Sequence, residues 1–503
     1  MRRSRQRGTL LALGLAGLSR TSARAMHRQL YEELRETVLS RRLRAGVRLP
    51  STRALATELR VSRNTVITAF EQLLAEGYVE GKIGSGTYVA SRLPDDILCV
   101  RARPAPAAAG PPDGRGISRR GSLMRLAQSS PSDGVLPPRA FRSGLPAIEE
   151  FPVELWARIV GRVWRQARRE QLAYGEHAGY KPLREAIAEY LREARGVRCE
   201  AAQVIVVEGA QQGLDLVARV LLDPGDSIWM EDPGYYGARG AFQAAGARLV
   251  AVPVDGEGLV VGEGIRRMES ARMAYVTPSH QYPLGHVMSL PRRLALLDWA
   301  SRAGAWVIED DYDSEFRFGG RPLAAIQGLD RQGLVIYVGS FSKVLVPALR
   351  LGYLVVPPDL VDTCVGARRL MSYHAPTMEQ AALAEFLGEG HFARHIRRLR
   401  GIYAERQRVL VEEARKRLAG LLEVEPQEAG LSLVGWLPKG IDDEAAHRHA
   451  AAYGVITSPL SRGAIEPQAR GGLILGYGVT PPREIREGTR KLEAALRSLV
   501  AGK

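Results

Sequence analysis

Gly339-Ser340-Phe341-Ser342-Lys343, preceded by Val335-Ile336-Tyr337-Val338 and followed by Leu351-Gly352-Tyr353-Leu354-Val355, is the stretch on which the fold turns. Two β-branched runs flank a short turn, and the turn carries a lysine. The chain has 503 residues and only seven lysines beside 63 arginines. Arginine stays protonated, so it cannot replace lysine where a free amine must condense with an aldehyde. Working outward, Asp310 lies 33 residues before Lys343 and Arg350 seven after it. Asp310 stands in Glu309-Asp310-Asp311-Tyr312-Asp313, at the end of the run Trp306-Val307-Ile308. Similar runs begin at Val204, Ser227, Arg248 and Met273, with helical patterns between them. Short β-branched strands alternating with helices predict a mostly parallel α/β sheet covered on both faces.

These residue types at these places suit pyridoxal 5′-phosphate (PLP). That cofactor needs a lysine amine, an anion at its pyridine nitrogen, a donor at its ring hydroxyl, a stacking face and a phosphate cup. Lys343 supplies the amine and Asp310 the anion. Tyr312, two residues on, falls on the same side of an extended segment, within reach of the ring hydroxyl. Ser340, Ser342 and Arg350 suit the phosphate, with the amides of Gly209, Ala210 and Gln211 at a strand-to-helix turn. Tyr235, in Glu231-Asp232-Pro233-Gly234-Tyr235, offers the stacking ring. Each piece has a duller reading as a cap, a loop or packing. Ser340-Phe341-Ser342-Lys343 also matches the S-x-x-K of serine β-lactamases, but no SDN or KTG triplet accompanies it. The combination in order carries the PLP reading.

The first ninety residues read differently. Residues 1–92 hold 17 Lys+Arg against 7 Asp+Glu, a net of +10 out of +15 for the whole chain. A polyanion partner therefore belongs at this end. Leu30, Tyr31, Leu34, Val38 and Leu39 recur at helical spacing, Ser51 caps a second helix, and Ser62 caps a third that closes at Gly77. Tyr78-Val79-Glu80-Gly81 and Thr87-Tyr88-Val89 read as a hairpin around Gly84-Ser85-Gly86. The third helix would present Ser62, Arg63, Asn64 and Thr65 to base edges or phosphate, Arg63 being the guanine reader. Arg53 would meet the DNA backbone, and Lys82, Gly84 and Gly86 the minor groove. Read singly, Ser62 is only a cap and Arg63 only a solvated charge.

Met1 to Arg7 followed by the apolar run Leu10–Leu18 imitates a signal peptide, but a DNA-binding unit begins directly after it; the run is expected to form an edge strand or an arm on that unit. Residues 93–135 shift to Pro, Ala, Gly, Ser and Arg without apolar period and read as a linker. Cys99, Cys199 and Cys364 lie far apart, so neither a metal site nor a disulfide framework is expected, and the natural setting is a reducing cytoplasm. No apolar stretch is long enough for a membrane span.

Leu49-Pro50-Ser51-Thr52-Arg53, Val61-Ser62-Arg63-Asn64-Thr65-Val66, Leu73-Leu74-Ala75-Glu76-Gly77-Tyr78 and Gly84-Ser85-Gly86-Thr87-Tyr88-Val89 together resemble the winged helix-turn-helix of the GntR family. Residues 136–503 resemble fold-type I PLP-dependent aminotransferases, with a smaller α+β lobe at the end. Head and body together resemble the MocR/GabR family of PLP-dependent regulators, as do Thr277 to Gly285 and Glu309 to Phe316. The resemblance implies an extension (1–25), a DNA-binding head (26–92), a linker (93–135) and an aminotransferase-like domain (136–503). It further implies a head-to-tail homodimer on promoter DNA, PLP held as an internal aldimine that serves as sensor, and control of vitamin B6 or amine metabolism. In free aminotransferases an asparagine in an Asn-Pro-x-Gly turn meets the ring hydroxyl; here His280-Gln281-Tyr282 stands instead, and the resemblance places His280 near the ring.

Two departures bear on the effector. The position two after the stacking tyrosine, arginine in GABA-responsive members, is Gly237, and the residue before the last strand, often the carboxylate clamp, is Gly472. Arg239 or Arg470 would have to substitute, so PLP itself or an amine other than GABA becomes the expected effector. The competing readings are a working aminotransferase with a vestigial head and a non-specific basic DNA-binding protein.

Overall fold

The computed structural model describes residues 18, 24–82, 85–93, 116–127, 140–319 and 324–501. Most of the expected N-terminal arm, Gly84, Cys99 and most of the linker lie outside the described residues; Leu18 packs on the head core. The chain divides into two compact units, Met1–Arg115 and Gly116–Lys503.

The head is built by its caps. Helix α1 (Met26–Leu39) buries Leu30, Leu34 and Val38 along one face. Ser51 Oγ accepts the Ala54 N–H at 3.2 Å and starts α2 (Thr52–Leu59); Ser62 Oγ accepts the Thr65 N–H at 3.1 Å and starts α3 (Arg63–Ala75). Arg60, in the left-handed conformation at φ 54°, ends α2 and sets the turn between these helices. Leu55, Val66, Ala69, Phe70 and Leu73 form the shared core. The wing pairs β1 (Val79–Lys82) with β2 (Gly86–Val89) antiparallel, Val79 opposite Val89 and Lys82 opposite Gly86.

The segment read as a linker contains a helix, α4 (Arg119–Ala127). Ser118 Oγ accepts the Gly121 N–H at 3.0 Å and caps it. Leu123 and Met124 are half exposed, so little apolar burial supports the helix and no apolar period announces it.

The large unit centres on eight strands: β3 (Val204–Val207), β4 (Ser227–Asp232), β5 (Arg248–Asp255), β6 (Gly258–Leu259), β7 (Met273–Val276), β8 (Trp306–Asp311), β9 (Val335–Ser340) and β10 (Gly352–Val355). Their spatial order is β3-β10-β9-β8-β7-β4-β5-β6. The run β5-β4-β7-β8-β9 is parallel, whereas β10 is antiparallel to both β9 and β3. One face buries Ile205, Val207, Ile308 and Ile336 under α5 (Ala210–Leu221) and α6 (Tyr236–Ala245); the other buries Val307 with the stacked pair Trp229 and Trp299. The chain then forms α7 (His391–Arg417) and a four-stranded antiparallel sheet of β11 (Glu423–Val424), β12 (Ser432–Trp436), β13 (Ser458–Pro459) and β14 (Gly472–Gly476), closed by α8 (Asp443–Ala452) and α9 (Pro482–Ala501). This is the expected smaller α+β lobe. Asp232, at the end of β4, ties it down by accepting the N–H groups of Ile465 (2.7 Å) and Glu466 (3.0 Å). Among the described residues no helix is long and apolar enough to cross a membrane.

Candidate functional site

Open parallel sheets gather ligand-binding groups at the carboxyl ends of their strands. Five such ends converge here: β3 leads into Gly209, β4 into Tyr235, β7 into His280, β8 into Asp310 and Tyr312, and β9 into Ser340, Ser342 and Lys343. Because β10 opposes both β3 and β9, those two strands point the same way, and Gly209 shares an edge with Lys343.

Asp310 is 4% exposed. Its Oδ2 accepts the Tyr275 hydroxyl at 2.8 Å, while Oδ1 is buried with no partner. Burial pushes its carboxyl up to about 7, against the Tyr275 hydrogen bond. A buried carboxylate oxygen without a donor is costly, so this atom fits a ligand N–H. Tyr312, the next side chain beyond β8, sets its hydroxyl 3.0 Å from His280 Nδ1, and His280 Nδ1 lies 3.0 Å from Asp313 Oδ2. An ionised Asp313 can only accept, so it claims the Nδ1 proton and leaves the Tyr312 proton to point elsewhere. His280 thus backs Tyr312, and its Nε2 is a second buried atom without a partner.

Lys343 Nζ donates to the Gly144 carbonyl at 2.6 Å. Burial lowers the basicity of the amine, and Asp313 and Asp310 oppose that shift. Gly144 was not singled out in the sequence: it acts through its backbone, 199 residues from its partner, and its φ of 81° is the one local signal. Gly209 caps α5 at φ 99°, and a Cβ there would lie 3.6 Å from the Arg350 guanidinium. That guanidinium and the first amides of α5, at Ala210 and Gln211, are donors suited to an anion; at the end of β9, Ser340 Oγ accepts the Ser342 N–H at 3.2 Å. The Tyr235 hydroxyl lies 3.4 Å from Gln211 Oε1, and its ring meets Tyr282 edge-on at 5.7 Å, which in turn meets Tyr312 at 6.1 Å.

The two arginines expected to substitute as clamps are both engaged elsewhere. Arg239 donates to the carbonyls of Ala464 and Arg462, each at 2.9 Å. Arg470 donates to Leu437 O at 2.6 Å, pairs with Glu423 at 2.8 Å and lies over Trp436. Position 237 is filled from another side: a Cβ on Gly237 would come within 2.6 Å of the Tyr235 ring and Gln211.

In the head, Arg53, Ser62, Arg63 and Asn64 are exposed, and Thr65 is half-buried with its hydroxyl 2.8 Å from Ser62 Oγ. Lys82 is exposed, with its ammonium over the Tyr88 ring. Gly86 has a φ of 112°, and a Cβ there would meet Arg48 Nε at 3.0 Å. Arg48, beside the wing, is a cation that the helix-based reading passed over.

Residues 26–89 match the family of bacterial regulatory proteins called gntR, and residues 147–470 match aminotransferase class I and II. The chain is 47% identical to the probable rhizopine catabolism regulatory protein MocR of Rhizobium meliloti over 96% of both chains. It is 32% identical to the pyridoxine biosynthesis transcriptional regulator PdxR of Corynebacterium glutamicum, over 90% of this chain and 91% of that one. The fold is similar to that of the α-aminoadipate aminotransferase LysN of Thermus thermophilus, with a TM-score of 0.71 and 32% identity over 77% of this chain and 98% of that one. A GntR head in front of an aminotransferase class I and II domain, shared with MocR along nearly the whole length, places the chain in the MocR family of helix-turn-helix transcriptional regulators.

Proposed function

We propose that this regulator binds promoter DNA through α3 and the wing, holds PLP on Lys343, and uses that site as its sensor. The head would span 26–92, the linker 93–135 and the sensing domain 136–503. Arg63 and Asn64 would read base edges; Arg53, Ser62, Thr65 and Lys82, with the wing around Gly84 and Gly86, would position the helix. The observation that carries the sensor reading is the unpartnered Asp310 Oδ1, close enough to Lys343 for each charge to act on the other. Bound there, PLP supplies an aldehyde that condenses reversibly with amines and a ring that withdraws electrons when its nitrogen is protonated. Asp310 would hold that nitrogen proton, Tyr312 backed by His280 would donate to the ring hydroxyl, Tyr235 would cover the ring, and Arg350, Ser340, Ser342 and the Gly209–Gln211 turn would hold the phosphate. Occupancy, or displacement of Lys343 by an effector amine, would bias two arrangements of the protein. A head-to-tail homodimer in the cytoplasm would present two recognition helices to repeated half-sites.

The test is binding of the full chain to its own upstream DNA, with and without PLP, at fixed salt against random competitor. Specific binding that changes with PLP supports the reading; equal binding to both DNAs overturns it. The same three residues, Lys343, Asp310 and Tyr312, also suit an aminotransferase. Sustained turnover of order 1 s⁻¹ across amino donors would favour that alternative.

A further inference from the structure

If Lys343 holds PLP, as proposed above, the cofactor's ring oxygen calls on the Tyr312 proton, and that proton has a rival acceptor. His280 Nδ1 lies 3.0 Å from the Tyr312 hydroxyl and would take its hydrogen bond whenever this nitrogen is bare. Which imidazole nitrogen carries the hydrogen is set by what the ring meets on each side.

On the Nδ1 side the ring meets Asp313, whose Oδ2 lies at 3.0 Å and Oδ1 at 3.2 Å from that nitrogen. His280 is 4% exposed and Asp313 1%, so water does not compete for the bond between them. An ionised carboxylate only accepts, so Nδ1 carries a hydrogen whether the imidazole is neutral or cationic. Tyr312 then keeps its own. Burial first, and the Asp313 charge second, hold the Tyr312 phenol well above its ordinary range, so it stays a donor.

Both members of the pair are fixed from outside. Asp313 opens the turn Ser314–Phe316, where the Phe316 N–H donates to the Asp313 carbonyl at 3.0 Å and the Phe316 ring packs edge-on to Tyr403 at 4.8 Å. His280 lies in a turn held by Glu231, whose Oε2 accepts the Thr277 hydroxyl at 2.6 Å and the Thr277 N–H at 3.2 Å. The far edge of the imidazole faces the small lobe: a Cβ on Gly430 would come within 2.1 Å of His280 Cε1 and 2.7 Å of Nε2. The Gly430 N–H donates to the Phe316 carbonyl at 3.0 Å, and its carbonyl accepts the Tyr477 hydroxyl at 2.7 Å. Tyr282, Asp310 and Glu231 also act on Tyr312, His286 on His280, and Asp310 and Asp313 together on Lys343. Within this group Asp310 is bonded to the Tyr275 hydroxyl and Asp313 to the imidazole.

We propose that Asp313 is a positioning residue of the sensor: it fixes the hydrogen of His280 on Nδ1 and so keeps the Tyr312 proton for the ring oxygen of bound PLP.

Selective ¹⁵N-histidine labelling of the cofactor-free full chain reads the imidazole directly, the His280 signals being identified by their loss in His280→Gln. A hydrogen on Nδ1 is expected; a bare Nδ1 in the unaltered protein overturns the proposal. In the PLP-loaded protein the pH midpoint of the visible band is measured for Asp313→Asn with Tyr312 present and again in Tyr312→Phe. A donor at the ring oxygen favours its anionic form, so Tyr312→Phe alone is expected to raise the midpoint. The shift caused by Asp313→Asn should lie about one pH unit higher with Tyr312 present than in Tyr312→Phe, about tenfold in proton affinity, and Asp313→Glu should return the midpoint toward its native value. Equal shifts in the two backgrounds make Asp313 no more than a charge near Lys343 and overturn the proposal. Failure of the protein to develop a visible band with PLP, or a band that persists in Lys343→Ala, sinks the cofactor reading instead and leaves the labelled histidine to decide the role of Asp313.

Discussion

At Lys343 one amine is asked to be both anchored and reactive. Its hydrogen bond to the Gly144 carbonyl fixes its direction, and burial favours the neutral form that can attack a carbonyl carbon. Lys343→Ala is expected to abolish the visible band of the PLP-loaded protein while leaving far-ultraviolet circular dichroism and DNA affinity without cofactor unchanged. Asp310→Asn removes the charge that would face the pyridine nitrogen of bound PLP. It should weaken PLP retention by about 1.5–3 kcal/mol, the range for a hydrogen bond to a charged group, as measured by dialysis against free PLP. The order of Tyr235, Asp310, Tyr312 and Lys343 was legible because each is a side chain whose chemistry has few substitutes. Gly144 was not, since a backbone carbonyl has no letter of its own. At Arg239 and Arg470 the sequence shows a charge and not the backbone carbonyls to which each donates.

Among the elements, the head was the most legible, because Ser51 and Ser62 are caps whose side chains bond where their positions predict. Ser62→Ala should cost about 1 kcal/mol of head stability by thermal melting, the usual worth of such a cap. Arg63→Ala should spare the melting temperature, weaken specific DNA binding by about 1–3 kcal/mol and relax preference at one base pair in a selection experiment. A loss equal on all sequences would make Arg63 a phosphate contact. The strands of the large sheet were also readable from their β-branched runs, but the reversal of β10 was not. Apolar periodicity reports which faces are buried and carries no information on strand direction. Helix α4 was missed for a related reason: it buries little, so its capping serine is almost all that marks it.

For the whole molecule, charge sets two expectations. Most of the net positive charge lies in the first 92 residues, so log affinity for DNA should fall linearly with log salt, with a slope near −0.9 for each phosphate neutralised. Specific and random DNA should differ in affinity more than in that slope. In the large unit, burial lifts the carboxyls of Asp310, Glu231 and Glu315 to about 7. Ordinary carboxyls titrate near about 4, so between these values the native protein holds more protons than the unfolded chain, and stability falls as pH rises. The cofactor-free protein should melt at a lower temperature at pH 7.5 than at pH 5, and PLP should narrow the gap by giving Asp310 a cationic partner. A melting temperature that rises over this interval would contradict the assignment.

The short segment from Ala140 to Ala147 lies inside the large unit and packs against the lysine of the candidate site. Phe141 bridges to Gly476, the Ala147 N–H donates to the Tyr403 hydroxyl at 2.9 Å, and the Gly144 carbonyl between them accepts the lysine's hydrogen bond. This segment is therefore moored at the very atom that holds the lysine amine. A pull on that mooring and a change of bond at Lys343 are two ways of moving one carbonyl. Whatever shifts Ala140–Ala147 would therefore be felt at the lysine, and the amine's rate of capture by a small aldehyde would report it.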